Sequence, residues 1–436
     1  MKILAIETSC DETAVAILEV SGPKRDPKFR VLSHIVSSQI KIHARFGGVV
    51  PNLARREHEK NLVPILMQAL RDAKLESRAR VSSRHSREGG NPESRDFNTR
   101  FPIKSGMAKK MQERLHSILE REPELWKHFE RKLLGFGKPD IDAIAVTYGP
   151  GLAPALWVGV NFAKALNCLW DKPLIPVNHM AGHFYSALIE TKKGVQAAKA
   201  TYKKISFPAL ALLVSGAHTE LVLVKKHGDF RIIGSTLDDA AGEAFDKVAR
   251  MLGFGYPGGP EIARTAAFGH PESRHAGMKD REIPLRQLTD RNDKFPIKFP
   301  RPIINSRNYD FSFSGLKTAV LYFIRDTEKT HSIKKLRPAI AKEFQNAVTD
   351  VLVTKTVRAA KEFQVKTVTL GGGVAANAAL RERLAAELAT QLPKVPLVTP
   401  DLSMTGDNAL MIALAAYFCG KKTSPDQVWA DANVTL

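Results

Sequence analysis

Two histidines, His179 and His183, stand four residues apart in the stretch Pro176-Val177-Asn178-His179-Met180-Ala181-Gly182-His183. On a helix that spacing places both imidazoles on one face, where they can grip a single metal ion. Ordinary surface or core histidines share the spacing, so the pair alone leaves both readings open. A zinc protease built on two helical histidines needs a glutamate beside the first. Met180 occupies that position, which argues against peptide hydrolysis by that route.

Three further stretches carry residue types suited to chemistry. Thr8-Ser9-Cys10-Asp11-Glu12-Thr13 sets two adjacent carboxylates in a tight polar turn between apolar runs. Lys366 to Leu370 reads as a buried strand running into Gly371-Gly372-Gly373 and a helix start, where backbone N–H groups can meet a phosphate or ribose. Asp407-Asn408 opens an apolar helix, and the Asp407 carboxylate has an ordinary use there as a cap on free N–H groups.

The elements that would position these residues follow from pattern and punctuation. Lys2 to Glu7 and Ala14 to Val20 read as paired strands around the acidic turn. Ala209 to Val214 and Glu220 to Lys225 repeat that grammar around Ser215-Gly216-Ala217-His218-Thr219, which points to a duplicated domain. The expected organisation is an N-terminal lobe over 1–205 and a C-terminal lobe over 206–436. The first contains a basic flexible insertion at 76–110 and a helical stretch at 111–135. The second contains a helical and loop insertion at 240–345 and a last helix at 407–419. The 76–110 segment has nine Lys and Arg against four Asp and Glu and almost no apolar periodicity, so it cannot bury enough surface to offset its ordering entropy.

Composition bounds the function classes. The 436 residues are 44% hydrophobic, enough to fill a core in each of two lobes. Cys10, Cys168 and Cys419 are far apart and form no CxxC, which suits buried thiols in a reducing compartment and no disulfide framework. Glu7, Asp11 and Glu12 interrupt the opening apolar run before it reaches the length of a signal peptide, and no stretch approaches the roughly 20 apolar residues of a membrane span. A cytoplasmic protein with no membrane contact is the expectation. The net charge of +20 favours a polyanionic partner such as nucleic acid. Phenylalanines interleaved with basic residues from Arg291 to Arg301 fit a single-strand binding pattern, or equally the core anchors of a loop.

Ten ordered blocks resemble one family, the tRNA threonylcarbamoyladenosine transferases once labelled sialoglycoprotein endopeptidases. They are IETSCDETAVAI from Ile6, GGVVPNLARREH from Gly47, TYGPGLAPALWVG from Thr147, NHMAGH from Asn178, LLVSGAHTEL from Leu212, DDAAGEAFDKVARMLG from Asp238, YPGGP from Tyr256, FSFSGLKTAV from Phe311, GGGVAANAALR from Gly371 and TGDNALMIA from Thr405. The resemblance implies an α/β chain of two tandem actin-like (ribonuclease H-like) lobes with an interlobe nucleotide and metal site. It implies transfer of a threonylcarbamoyl group from threonylcarbamoyl-AMP to N6 of adenosine 37 in tRNAs reading ANN codons. One divalent metal ion per subunit, Fe2+ foremost with Zn2+ as the alternative, would be held by His179, His183 and Asp407. The nucleotide would lie against Leu213, Val214, Ser215, Gly216, Ala217, Asp246, Gly259 and Asn377. The chain departs from the family pattern at Ala217, where a second glycine is usual. A shorter inactive paralogue and a P-loop ATPase are the implied protein partners.

An adenine amine is a poor nucleophile, while a mixed carbamoyl-phosphate anhydride already carries a good leaving group. Alignment and charge stabilisation therefore matter most, with Asp11 or Glu12 as the candidate acceptor of the amine proton. Two rivals are a metal-dependent protease, against which Met180 counts, and a small-molecule kinase of the same superfamily, which would leave His179, His183 and Asp407 without work.

Overall fold

The computed structural model describes residues 1–23, 25–76, 105–191, 199–267 and 297–436. Residues 77–104 of the basic 76–110 segment, and Arg291, Lys294 and Phe295 of the aromatic-basic stretch, lie outside the described residues.

The chain divides into two compact units, Met1–Lys204 with Pro400–Leu436, and Ile205–Thr399. The contiguous 206–436 lobe expected from the sequence is corrected here, because the chain returns to the first unit at Pro400. The cause is an apolar helix that finds its burial there.

In the first unit a seven-stranded sheet runs in the order β5-β4-β1-β2-β3-β7-β6. Its strands are β1 (Lys2–Glu7), β2 (Glu12–Ser21), β3 (Lys28–Ser38), β4 (Ala143–Gly149), β5 (Leu174–Asn178), β6 (Ile189–Thr191) and β7 (Lys199–Tyr202). Central β1 pairs antiparallel with β2 and parallel with β4. Its helices are the short α1 (Ile40–His43), then α2 (Pro51–Asp72), α3 (Ser105–Ile118), α4 (Pro123–Leu133), α5 (Ala153–Trp170), α6 (His179–Ser186) and finally α12 (Ala409–Cys419). Leu4, Ile6, Val15 and Ile17 share a buried cluster with Leu62 and Leu66 of α2 and Phe162 and Leu166 of α5. The alternate residues of β1 and β2 point to the opposite face. There α12 packs against β1, β2, β5 and α6. Residues 409–416 of α12 are buried all round, as a helix without a polar face must be.

The second unit is built on a five-stranded sheet of order β10-β9-β8-β11-β12. Its strands are β8 (Ala209–Val214), β9 (Thr219–Lys226), β10 (Asp229–Ser235), β11 (Thr367–Gly371) and β12 (Leu397–Val398). As in the first unit, the opening strand pairs antiparallel with the next and parallel with a later one, β8 with β9 and with β11. The shared order and directions fit the duplicated domain that the repeated strand-turn-strand grammar points to and the two actin-like lobes that the family resemblance implies. Helices α7 (Ala241–Met251), α8 (Gly258–Ala267), α9 (Ser314–Thr327), α10 (Ile333–Glu362) and α11 (Ala378–Gln391) complete the unit. Leu212 and Val214 of β8 share its core with Phe245 of α7 and Phe344 of α10, whose rings meet edge to face 5.1 Å apart.

Asp238 accepts from the N–H groups of Phe313 and Ser314 and from the hydroxyls of Ser312 and Ser314, so it fastens the start of α9. Phe299 is 4% exposed within the core, and Arg301 is paired with Glu343 and Asp350. These two residues anchor a loop and do not offer a base-stacking surface.

Glu122, just before α4, is 2% exposed and accepts from Asn161 at 3.2 Å. Burial pushes its carboxyl up from 4.5 to about 7, against the opposing pull of Asn161 and Arg55. The acid form is therefore favoured in the folded state. Its stabilisation is complete below pH 4.5 and is lost as the pH rises through about 7. Glu122→Gln, which keeps an acceptor for Asn161, is expected to gain about 1–2 kcal/mol on the wild type between pH 5 and pH 8. Parallel stability curves for the two proteins across that range would refute the assignment.

Candidate metal centre and nucleotide-facing turns

Strand β5 ends at Asn178, whose Oδ1 accepts from the N–H groups of Met180 at 2.8 Å and Ala181 at 3.3 Å and so starts α6. One turn of α6 separates His179 from His183, and both are buried, at 6% and 0% exposure. Gly182 lies between them on the side of α12. A Cβ there would sit 3.0 Å from Met411 Cγ and from Ile412 Cδ1, so the glycine allows α12 to approach closely. The cap of α12 is Asn408, which accepts from the Met411 N–H at 3.0 Å. The capping role open to Asp407 from sequence thus falls to its neighbour, and the Asp407 carboxylate is left to the histidines. Its Oδ1 lies 3.4 Å from His179 Nε2 and 3.3 Å from His183 Nε2.

The two imidazoles and the Asp407 carboxylate offer ligand atoms that all lie within 4.8 Å of one another. Neither ring nitrogen of buried His183 has a hydrogen-bond partner, which is costly unless something else binds there. Two nitrogens and one carboxylate oxygen suit zinc or iron and leave coordination positions open.

The sequence reading missed the residues behind His179. Its Nδ1 lies 3.1 Å from Glu7 Oε2 and 3.1 Å from Ser9 Oγ. Glu7 is 0% exposed, and it also accepts from the Thr147 hydroxyl at 2.6 Å. A carboxylate on one imidazole nitrogen presents the other to a metal. Burial alone would raise the Glu7 and Asp407 carboxyls; His179 outweighs it in both and holds them below their ordinary values. Burial also opposes charge on His179, but Asp407 and Glu7 raise its pKa well above the usual imidazole range. For His183 burial prevails and the shift is downward. A cation held between these side chains would offset the charge of the two buried carboxylates. A glutamate closing an otherwise apolar central strand was the available signal for Glu7.

The acidic turn leaves β1 beside this group. Asp11 is 6% exposed, and its Oδ2 is buried without a hydrogen-bond partner. Glu12 opens β2, and burial, followed by the charges of Asp407 and Asp11, raises its carboxyl well above the ordinary value.

Within the second unit, Leu213 and Val214 are fully buried in β8, and Ser215 to Ala217 form the turn that follows. The turn is closed by Ser215 N–H on the His218 carbonyl at 2.8 Å and His218 N–H on Ser215 Oγ at 3.1 Å. Among the described residues Ala217 is not one with positive φ, so its methyl group puts no strain on the backbone there. A Cβ on Gly242 of α7 would lie 2.4 Å from the Ser215 carbonyl oxygen, and one on Gly372 2.3 Å from that of Val214. Gly372 also has φ +89°, so both space and backbone require glycine. The turn, the start of α7 and the glycine loop are thereby packed together. Asp246 accepts from the N–H groups of Gly258 at 2.7 Å and Gly259 at 3.3 Å, joining two expected nucleotide contacts to each other. Asn377 caps α11 through the Leu380 N–H at 3.1 Å and donates to Gln345 at 2.9 Å.

The family description tRNA N6-adenosine threonylcarbamoyltransferase matches residues 30–79 and 131–414. The curated protein of that name from Thermosipho melanesiensis is 38% identical over 436 residues, covering 100% of both chains. The one from Bacillus subtilis is 40% identical over 423 residues, covering 97% of this chain and 91% of its own. The chain belongs to the tRNA N6-adenosine threonylcarbamoyltransferase family.

Proposed function

We propose that the protein transfers the threonylcarbamoyl group of threonylcarbamoyl-AMP to N6 of adenosine 37 in tRNAs that read ANN codons. The observation that carries this reading is the convergence of His179, His183 and Asp407, beside the Asp11–Glu12 turn, in a chain similar end to end to transferases of that name.

In the reaction the adenine N6 attacks the carbamoyl carbon, a C–N bond forms, the C–O bond to phosphate breaks, and AMP departs with the anhydride electrons. The amine loses one proton, and Asp11 or Glu12 accepts it. One divalent ion, Fe2+ foremost or Zn2+, held by His179, His183 and Asp407 would supply positive charge to substrate oxygens. Glu7 and Ser9 hold His179 in the orientation that frees its Nε2. Leu213 to Ala217, Asp246, Gly259 and Asn377 receive the nucleotide, the glycine loop beside Asn377 allowing close backbone approach.

The net charge of +20 supports a tRNA partner. No helix among the described residues is long and apolar enough to cross a membrane, and a cytoplasmic location fits the substrate. A shorter inactive paralogue and a P-loop ATPase are the expected protein partners. The test is incubation with threonylcarbamoyl-AMP and an unmodified ANN-decoding tRNA, with and without those partners, followed by mass spectrometry of the nucleosides. Appearance of threonylcarbamoyladenosine at position 37 supports the reading, and its absence in every combination overturns it.

A further inference from the structure

Behind the acidic turn lies a second histidine pair that no metal role uses. His58 of α2 and His43 of α1 are both 0% exposed. Their hydrogen bonds determine one another. His58 Nε2 lies 3.0 Å from the Cys10 carbonyl oxygen, which can only accept, so Nε2 carries the hydrogen. The opposite nitrogen, Nδ1, is then an acceptor, and the Thr13 hydroxyl donates to it at 2.8 Å. Gln39 Nε2 approaches the same Nδ1 and the Ala54 carbonyl, each at 3.4 Å. His43 donates from Nε2 to Gln39 Oε1 at 3.1 Å and accepts at Nδ1 from the Val50 N–H at 3.3 Å. Every polar atom of the chain from Val50 to Cys10 has one consistent role.

The chain ends on the peptide carbonyl immediately before Asp11. The next carbonyl, that of Asp11 itself, is held by the Gln39 N–H at 2.9 Å. The carboxylate-bearing turn is therefore fastened through its backbone, and the Asp11 Oδ2 is left without a partner of its own. Burial lowers the His58 imidazole to about 4, consistent with the neutral, singly protonated ring this bonding requires.

We infer that His58 is a positioning residue: its Nε2–H holds the Cys10 carbonyl and so sets the placement of Asp11 and Glu12 for the transfer step. The inference rests on the proposed role of those two carboxylates. It predicts an asymmetry between two amides of graded length. Glutamine places its N–H2 near the position of Nε2 and can still donate to Cys10. Asparagine reaches only as far as Nδ1 and cannot.

The experiment compares His58→Gln and His58→Asn in the full-length protein by single-turnover transfer, bound metal, and hydrogen exchange of a peptide spanning residues 8–14. His58→Asn is expected to lower the transfer rate by about 100-fold, the scale of a misplacement of order 1 Å, with half-saturating threonylcarbamoyl-AMP and bound metal unchanged. It should also speed exchange in the peptide by about tenfold, the scale of one lost hydrogen bond. His58→Gln should stay within about fivefold of the wild type in both readouts, which leaves room for its lost Thr13 bond. Equal losses in the two variants, or a normal rate in His58→Asn, would overturn the inference. If His58→Asn does not fold, His58→Gln decides alone: transfer and exchange within about fivefold of the wild type support the inference, and a loss of about 100-fold overturns it. Exchange is read without substrate. A wild type that fails to transfer while the exchange asymmetry holds would refute the proposed reaction and leave the anchoring of the turn intact.

Discussion

His183→Ala is expected to lose the bound metal and the transfer activity together while remaining folded. Nδ1 of His183 is buried without a hydrogen-bond partner and Nε2 faces only Asp407 at 3.3 Å, so its removal costs that one contact and no other. Metal content should fall from one equivalent to near zero, by more than the 10–100-fold loss of affinity usual for an outer partner of a ligand. Transfer should fall by on the order of 10²–10⁴, the several kcal/mol that Lewis-acid stabilisation supplies. His179→Ala should share those losses and add another. It strands Glu7, which is 0% exposed and within 3.1 Å of the lost Nδ1, as a buried carboxylate without its counter-charge. Breaking a buried pair costs about 3–5 kcal/mol. Metal analysis and thermal melting of the two variants separate the effects. A His183→Ala protein that keeps its metal and its rate would show that the three side chains are not the ligand set.

Asp11→Asn combined with Glu12→Gln is expected to slow single-turnover transfer by about 10²–10⁴-fold, the range of a general base, with threonylcarbamoyl-AMP binding and metal content retained. The substitutions keep side-chain shape and remove only the capacity to accept a proton. Asp11 is the more informative single change. Its Oδ2 is buried with no protein partner, whereas Glu12 is pushed towards its acid form by burial and the charges of Asp407 and Asp11. A double variant that transfers at the full rate would remove acid-base catalysis by this turn.

The strand-turn-strand openings were legible because both are local: apolar alternation interrupted by a polar turn specifies β1–β2 and β8–β9 without reference to the rest of the chain. The α6 histidines were legible for the same reason, since helical spacing alone brings them together. Asp407 was not, because no local rule joins residue 179 to residue 407; a family resemblance supplied the link, and the structure puts their atoms 3.4 Å apart. Glu7 and His58 were passed over because burial turns an ordinary-looking glutamate or histidine into a committed hydrogen-bonding group, and neither a strand end nor a single position inside a long helix announces burial. Phe299 was left open between a stacking residue and a loop anchor, and burial of its ring settles it as an anchor. The lobe boundary failed at its far end because α12 is apolar on every side, so its composition says that it is covered without saying by what.

That return of the chain has a consequence for the order of events during synthesis. The first unit is begun by Met1–Lys204 and finished only by Pro400–Leu436, with the whole of the second unit made in between. While the second unit is being made, the face of β1 and β2 that α12 will cover waits exposed, and His179 and His183 wait without Asp407. Domains often fold as they emerge, from the N-terminus onward. Here the nascent first unit cannot close its apolar face or bring His179, His183 and Asp407 together until α12 has left the ribosome. A chain that stops before residue 400 leaves bare the sheet face that α12 covers.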